Sequence, residues 1–189
     1  YSIKSDSRDD ARLLLKALAT LIYPAKGSYL FYGKKLDFTD YRKLLFCKRE
    51  IGYIALDSAM LSNRTIRENL LFMRHYFENS LDISLDEQTK KLCRDFGIYD
   101  KLDVHASKLD RMDLRVAIAI REITKHPKLL IVERPEDLVS HIKRGLFLKI
   151  LNDMIIAKIP MVFLSYSKDL IRELANKKIY IEDGKLTTN

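Results

Sequence analysis

Glycine is scarce in this sequence, at six residues in 189. None falls in the polar segment 5–12, which links a short apolar stretch to an amphipathic one. A loop without glycine does not readily take up the left-handed or tightly wrapped conformations that aim successive backbone N–H groups at a phosphate. Cysteine is scarcer still. Cys47 and Cys93 stand far apart with no C-x-x-C spacing, which argues against both a zinc site and a disulfide framework. No apolar run approaches the length that crosses a bilayer, and no signal peptide is expected ahead of the fold. A cytoplasmic location is therefore expected, with any membrane link made through a partner.

Charge is plentiful. Lys+Arg number 34 against 26 Asp+Glu, and the formal net charge of +8 suits a nucleic acid, an anionic membrane face or an acidic partner. Hydrophobic residues make up 47%, enough to bury a core in one domain. Apolar, β-branched or aromatic runs at 29–32, 51–55, 129–132, 161–164 and 179–181 read as strands, and a further short strand runs into the polar segment at residue 5. Helical periodicity marks 11–22, 65–77, 85–96, 110–125, 136–156 and 168–175. Strand-rich ends around a helix-only middle predict one α/β domain with a mainly parallel sheet. Its core is expected from 1–60 and 127–189, with a helical subdomain over 61–126. The chain already opens in a strand, so N-terminal strands are expected to be missing from it.

Several stretches then occur in a telling order: "LLLKALATLIYPAKGSYLFYGKKL", "IGYIALDSAML", "NRTIRENL", "LRVAIAIREITKHPKLLIVERP" and "IYIEDGKL". Together they resemble the nucleotide-binding domain of ATP-binding cassette (ABC) transporters, a P-loop NTPase-like fold, over essentially the whole chain. The first is similar to the family's post-loop helix and the turn with Pro24 and Gly27. The second matches the strand into the Q-loop, the third the start of the helical subdomain, the fourth the signature helix plus Walker B strand, and the fifth the last strand and turn.

At the positions where the resemblance implies chemistry, this sequence departs from the family. A phosphate loop needs glycines, a lysine for the phosphate charge and a hydroxyl for magnesium. Here that loop falls on Ser5 to Arg12, with Asp10 for the second glycine, Ala11 for the lysine and Arg12 for the magnesium ligand. The signature motif reads Leu109, Asp110, Arg111, Met112, Asp113. The Q-loop glutamine is Leu56, the Walker B aspartate is Glu133, the catalytic glutamate is Arg134, and the switch histidine falls on or near Ser167. Asp9 and Asp10 at one helix start and Asp110 and Asp113 at the other are expected to cap N–H groups that phosphate would otherwise satisfy, each contributing about 0.3–1 kcal/mol. Glu133 reads as a structural charge paired with Arg134 rather than a metal ligand.

No metal, cofactor or catalytic residue is therefore expected, and ATP with magnesium enters only under the rival reading of an unusual but active ATPase. The resemblance implies docking of a membrane permease subunit at Leu56, Asp57, Ala59, Met60 and Leu61, placing the protein on the inner face of the membrane as a pseudo-ATPase. A homodimer or an active ATPase partner fits the same reading. The stretch 57–77 is loosely similar to lipid-trafficking (Mla-type) subunits, and the compact length also fits cell-division (FtsE-type) ones. A third reading is a soluble interaction or nucleic-acid-binding protein that reuses the fold, although no nucleic-acid motif is evident. The basic segment with Lys34, Lys35, Arg42, Lys43, Lys48 and Arg49 reads as a solvated face.

Overall fold

The computed structural model describes residues 1–80 and 82–188. Its central sheet has six strands in the order β4-β5-β6-β1-β7-β8. These are β1 (Ser2–Ser5), β4 (Ile51–Ile54), β5 (Leu129–Glu133), β6 (Met161–Leu164), β7 (Lys178–Glu182) and β8 (Lys185–Thr188). All neighbours run parallel except β7 and β8, which pair antiparallel. A separate two-stranded ribbon pairs β2 (Leu30–Phe31) with β3 (Lys34–Lys35).

Side-chain alternation along the central strands builds two cores. Leu130 and Val132 of β5, with Met161 and Phe163 of β6, face one apolar cluster. Ile131, Val162 and Leu164 face the other, with Ile3 and Ile181. Strands buried on both faces read as unbroken apolar runs because each face has its own helical cover. The second face is covered by α1 (Arg8–Leu18), through Ala11 and Leu15, and by α2 (Tyr41–Glu50), through Cys47. The first is covered by α3 (Ile66–Glu78), α4 (Glu87–Asp95), α5 (Arg111–Ile123), α6 (Arg144–Ile156) and α7 (Lys168–Leu174).

Among the described residues of 61–126, the regular elements are helices and short 3₁₀ turns, with one bridge inside the segment from Thr65 to His105. Thr65 and Glu68 form a reciprocal capping box at the start of α3. Gly52 lets α5 lie against β4. A Cβ there would stand 2.9 Å from Leu130 Cδ1 and 3.1 Å from the Glu122 carbonyl.

Three expectations need correction. The first helix begins at Arg8 and ends at Leu18, not 11–22. Segment 41–50 is the helix α2, which the helical periodicity does not mark, and its Arg42, Lys43 and Arg49 are exposed. Residues 136–143 do not extend α6, because the Glu136 carbonyl accepts from Arg144 Nη2 at 3.0 Å and the Asp137 carbonyl from Arg115 Nη1 at 3.0 Å. Those carbonyls are committed to guanidiniums instead of an i→i+4 ladder.

Candidate functional site

The polar segment 5–12 does not form an extended loop. Ser5 ends β1, Asp6 and Ser7 turn, and Arg8 already begins α1. Ser7 is the N-cap: its hydroxyl accepts from the Asp10 amide at 3.2 Å and its carbonyl from the Ala11 amide at 3.3 Å. Ser7 donates its own amide to Ser5 Oγ at 3.2 Å. The expected capping by Asp9 and Asp10 side chains is thus corrected. A hydroxyl takes the cap, and the two carboxylates lie in the first turn, where they meet the positive end of the helix dipole. At the second helix start, Asp110 does cap with its carboxylate, accepting from Met112 N at 2.8 Å and Asp113 N at 2.9 Å. Asp113 pairs with Lys101, while Arg111 and Met112 are exposed.

Glu133 ends β5 with only 3% of its side chain exposed. Its partner is not Arg134. Arg12 Nε lies 2.7 Å from Glu133 Oε1, and Arg12 Nη2 lies 3.2 Å from Asp57 Oδ2 in the loop after β4. Lys16, one turn further along α1, adds a 3.4 Å contact to the same Asp57 oxygen. The Glu133 contact is a close charge pair whose N–H is not aligned on the oxygen. The guanidinium thereby joins the C-terminal ends of two neighbouring strands, and Glu133 foremost, with Asp57 behind it, raises the Arg12 pKa further. Tyr53 projects from β4 beside them. Burial first, and then the Glu133 and Asp57 charges, push its phenol well above the ordinary range. Tyr53 Oη and Glu133 Oε2 are both buried without a partner among the described residues. Sequence reasoning missed Tyr53, since nothing in the local pattern distinguishes it from a strand aromatic.

Arg134 takes a left-handed conformation at φ 52° and pairs with Asp137. Its guanidinium and that of Arg8 both lie over the Tyr166 ring, at 5.6 and 5.7 Å. Glu136 accepts from Ser165 Oγ and from the Tyr166 amide, each at 2.9 Å, which ties the loop after β6 to the turn after β5. Ser167 caps α7 by accepting from Leu170 N at 3.4 Å.

A groove of about 460 Å³ lies beside this network, between α1, α2, β4 and the helical segment, and includes Asp57, Ala59, Tyr41, Lys48, Met73 and Arg121 in its lining. Of the five expected docking residues, Asp57 and Ala59 line it. Leu56 and Met60 instead pack against the core, and the exposed Leu61 is held by its backbone to the Asn69 side chain, at 2.8 and 3.1 Å. No group of three or more His, Cys, Asp or Glu poised for a metal occurs among the described residues.

No family model matches the chain. In sequence it is 25% identical over 175 residues to the methionine import ATP-binding protein MetN of Haemophilus influenzae, covering 92% of this chain and 50% of that protein. It is 22% identical over 178 residues to the ribose import ATP-binding protein RbsA of Clostridium tetani, covering 91% of this chain and 34% of that one. The chain thus spans half or less of the length of these curated relatives. In structure it matches a dimeric bacterial ABC transporter cassette, MJ0796, with a TM-score of 0.81 at 17% identity, covering 100% of this chain and 83% of that one. The post-hydrolysis dimer of the same cassette, bound to ADP and Pi, gives 0.80 at 14% identity with the same coverage. The fold is that of the ABC ATP-binding cassette, and in sequence the chain is similar to ATP-binding proteins of ABC importers. No described helix is long and apolar enough to cross a membrane.

Proposed function

We propose that this chain is a catalytically degenerate ABC transporter ATP-binding subunit, a pseudo-ATPase that holds its cassette together without nucleotide and acts by docking on a membrane permease. The observation that carries this reading is Arg12, whose guanidinium sits between Glu133 and Asp57. Magnesium and ATP do not fit the residues present. A divalent cation beside Glu133 would meet a fixed positive charge, the Asp10 and Ala11 amides already bond to Ser7, and Asp9 and Asp10 would repel phosphate. Arg12 does by an internal charge what a bound cation would otherwise do.

Each missing charge-assisted contact removes about 1.5–3 kcal/mol, and two such losses weaken binding by roughly a hundredfold or more. Titration calorimetry of the full chain with Mg-ATP at millimolar concentration is expected to show no binding, and thermal melts no stabilisation. Restoring Ala11→Lys alone should rescue neither. Saturable micromolar binding would overturn the proposal in favour of an unusual, active ATPase.

Docking belongs to the groove beside Asp57 and Ala59, and the protein then sits peripherally on the inner membrane face. Because Met60 packs against the core, a charge there tests folding as well as docking. Ala59→Trp, which fills an exposed part of the groove, is the better variant. It should abolish co-purification with the permease while leaving the fold intact. The same pull-down decides between a homodimer and an active ATPase partner. It also bears on cargo, since 57–77 resembles lipid-trafficking subunits whereas the relatives' names are those of methionine and ribose import proteins.

A further inference from the structure

The groove uses one flank of α2 and leaves another facing solvent. Arg42, Phe46 and Arg49 recur at i, i+4 and i+7, so they form one stripe along the helix, and all three are exposed. Leu44 and Cys47 point the other way, into the core. The stripe continues across neighbouring elements through interleaved rings and cations. Lys128 Nζ lies 5.6 Å from the Tyr32 ring and 6.0 Å from the Phe46 ring, and the Arg49 guanidinium lies 5.7 Å from Phe46 and 5.2 Å from Phe77. Tyr32 and Phe46 remain 64% and 48% exposed.

The acids nearby are already engaged. Glu50 pairs with Lys128 and Asp37 with Lys43, each at 2.7 Å, and Asp40 caps α2 through Arg42 N at 2.9 Å. Among the described residues no ion pair engages Arg42 or Arg49. Glu50 and Lys128 immediately precede β4 and β5, so this face lies at the opposite strand ends from Arg12 and Glu133.

We propose that the outer face of α2, with the Tyr32 turn and Lys128, binds an anionic lipid bilayer. Aromatic bodies with cations beside them match the polar–apolar boundary of a membrane, where rings insert and ammonium or guanidinium heads reach anionic headgroups. A single-stranded nucleic acid needs open ring faces for its bases. Here the protein's own cations already lie against the rings of Tyr32, Phe46 and Phe77, where a stacking base would have to displace them. The proposal is independent of nucleotide binding, and it leaves the groove on the other flank free for a permease.

The test is co-sedimentation of the full chain with vesicles of phosphatidylcholine alone or with about one-third phosphatidylserine, the anionic lipid expected to attract each basic side chain. Binding is expected only to the anionic vesicles, and it should fade as salt shortens the Debye length. Arg42→Glu and Arg49→Glu should each weaken it at least about fivefold per charge removed. Phe46→Ser should weaken it while keeping the salt dependence, and Lys178→Glu on the exposed end of β7 should change nothing. Arg42 is exposed and makes no ion pair among the described residues, so its variant keeps the test valid should Arg49→Glu fail to fold. Equal binding to both vesicle types, no binding to either, or tighter capture of a poly-U oligonucleotide run alongside would overturn the proposal.

Discussion

Replacing Arg12 with alanine strands a carboxylate inside the protein. Glu133 is 3% exposed and its Oε2 has no partner among the described residues, so Arg12 carries its charge compensation. Breaking a buried pair by removing one member costs about 3–5 kcal/mol, because the survivor keeps its desolvation penalty without the attraction that offset it. Arg12 itself is 31% exposed, and solvent reaching the vacated space softens the loss, which places the expectation near the lower bound, about 3 kcal/mol. For a domain of this size that is a fall of roughly 6–12 °C in Tm. A double-mutant cycle separates charge from packing. In a Glu133→Gln background the same Arg12→Ala change should cost only about 1 kcal/mol, leaving a coupling of about 2 kcal/mol, read from urea melts at constant m. Costs that simply add, or an Arg12→Ala variant within about 0.5 kcal/mol of the parent, would refute the idea that the guanidinium holds β4 and β5 together from their C-terminal ends.

Two further predictions concern the seam between α5 and β4. Gly52→Ala should destabilise by about 1–3 kcal/mol, since the new methyl meets Leu130 and the backbone of Glu122 in a packed layer; unchanged urea melts would show that the helix shifts freely. Glu122 should impose an acid limb on stability. Burial opposes its charge, but Lys125 and Arg121, with the Tyr53 amide at 3.2 Å, outweigh burial and hold its pKa below the ordinary 4.5. A depressed carboxylate pKa stabilises the fold fully above the ordinary value, and that contribution drains away as pH falls below 4.5 through the folded value. Glu122→Gln should lower stability at pH 7 and flatten this limb, and a parallel pH–stability curve for the variant would show that other carboxylates set it.

The sheet was legible because its signal is local. Strands β5 and β6 are buried on both faces, and their continuous apolar runs announce that burial without knowledge of partners. Helix α2 was hidden for the opposite reason. Its Leu44, Cys47 and following Ile51 keep a helical spacing, but four of its ten residues are Lys or Arg, and the charge drowned the periodicity. The start of α6 was misplaced because the carbonyls of Glu136 and Asp137 are claimed by arginines eight and twenty-two residues away, and no window reading sees them.

The site itself was legible in its residue types and not in its pairings. The aligned positions made Arg12 and Glu133 notable for what each replaces, yet the natural reading paired Glu133 with its neighbour Arg134. Chain proximity misleads at the end of a strand. Residues adjacent in sequence point to opposite faces there, and Arg134 turns away in a left-handed conformation towards Asp137 and Tyr166. Glu133 faces the layer occupied by α1, where position 12, one turn into the helix, brings a guanidinium over the ends of β4 and β5 together. A short hydroxyl at that position would stop well short of both carboxylates and leave space for an ion. Arginine is long enough to reach both and is permanently charged, so one substitution supplies the cation and closes the space at once.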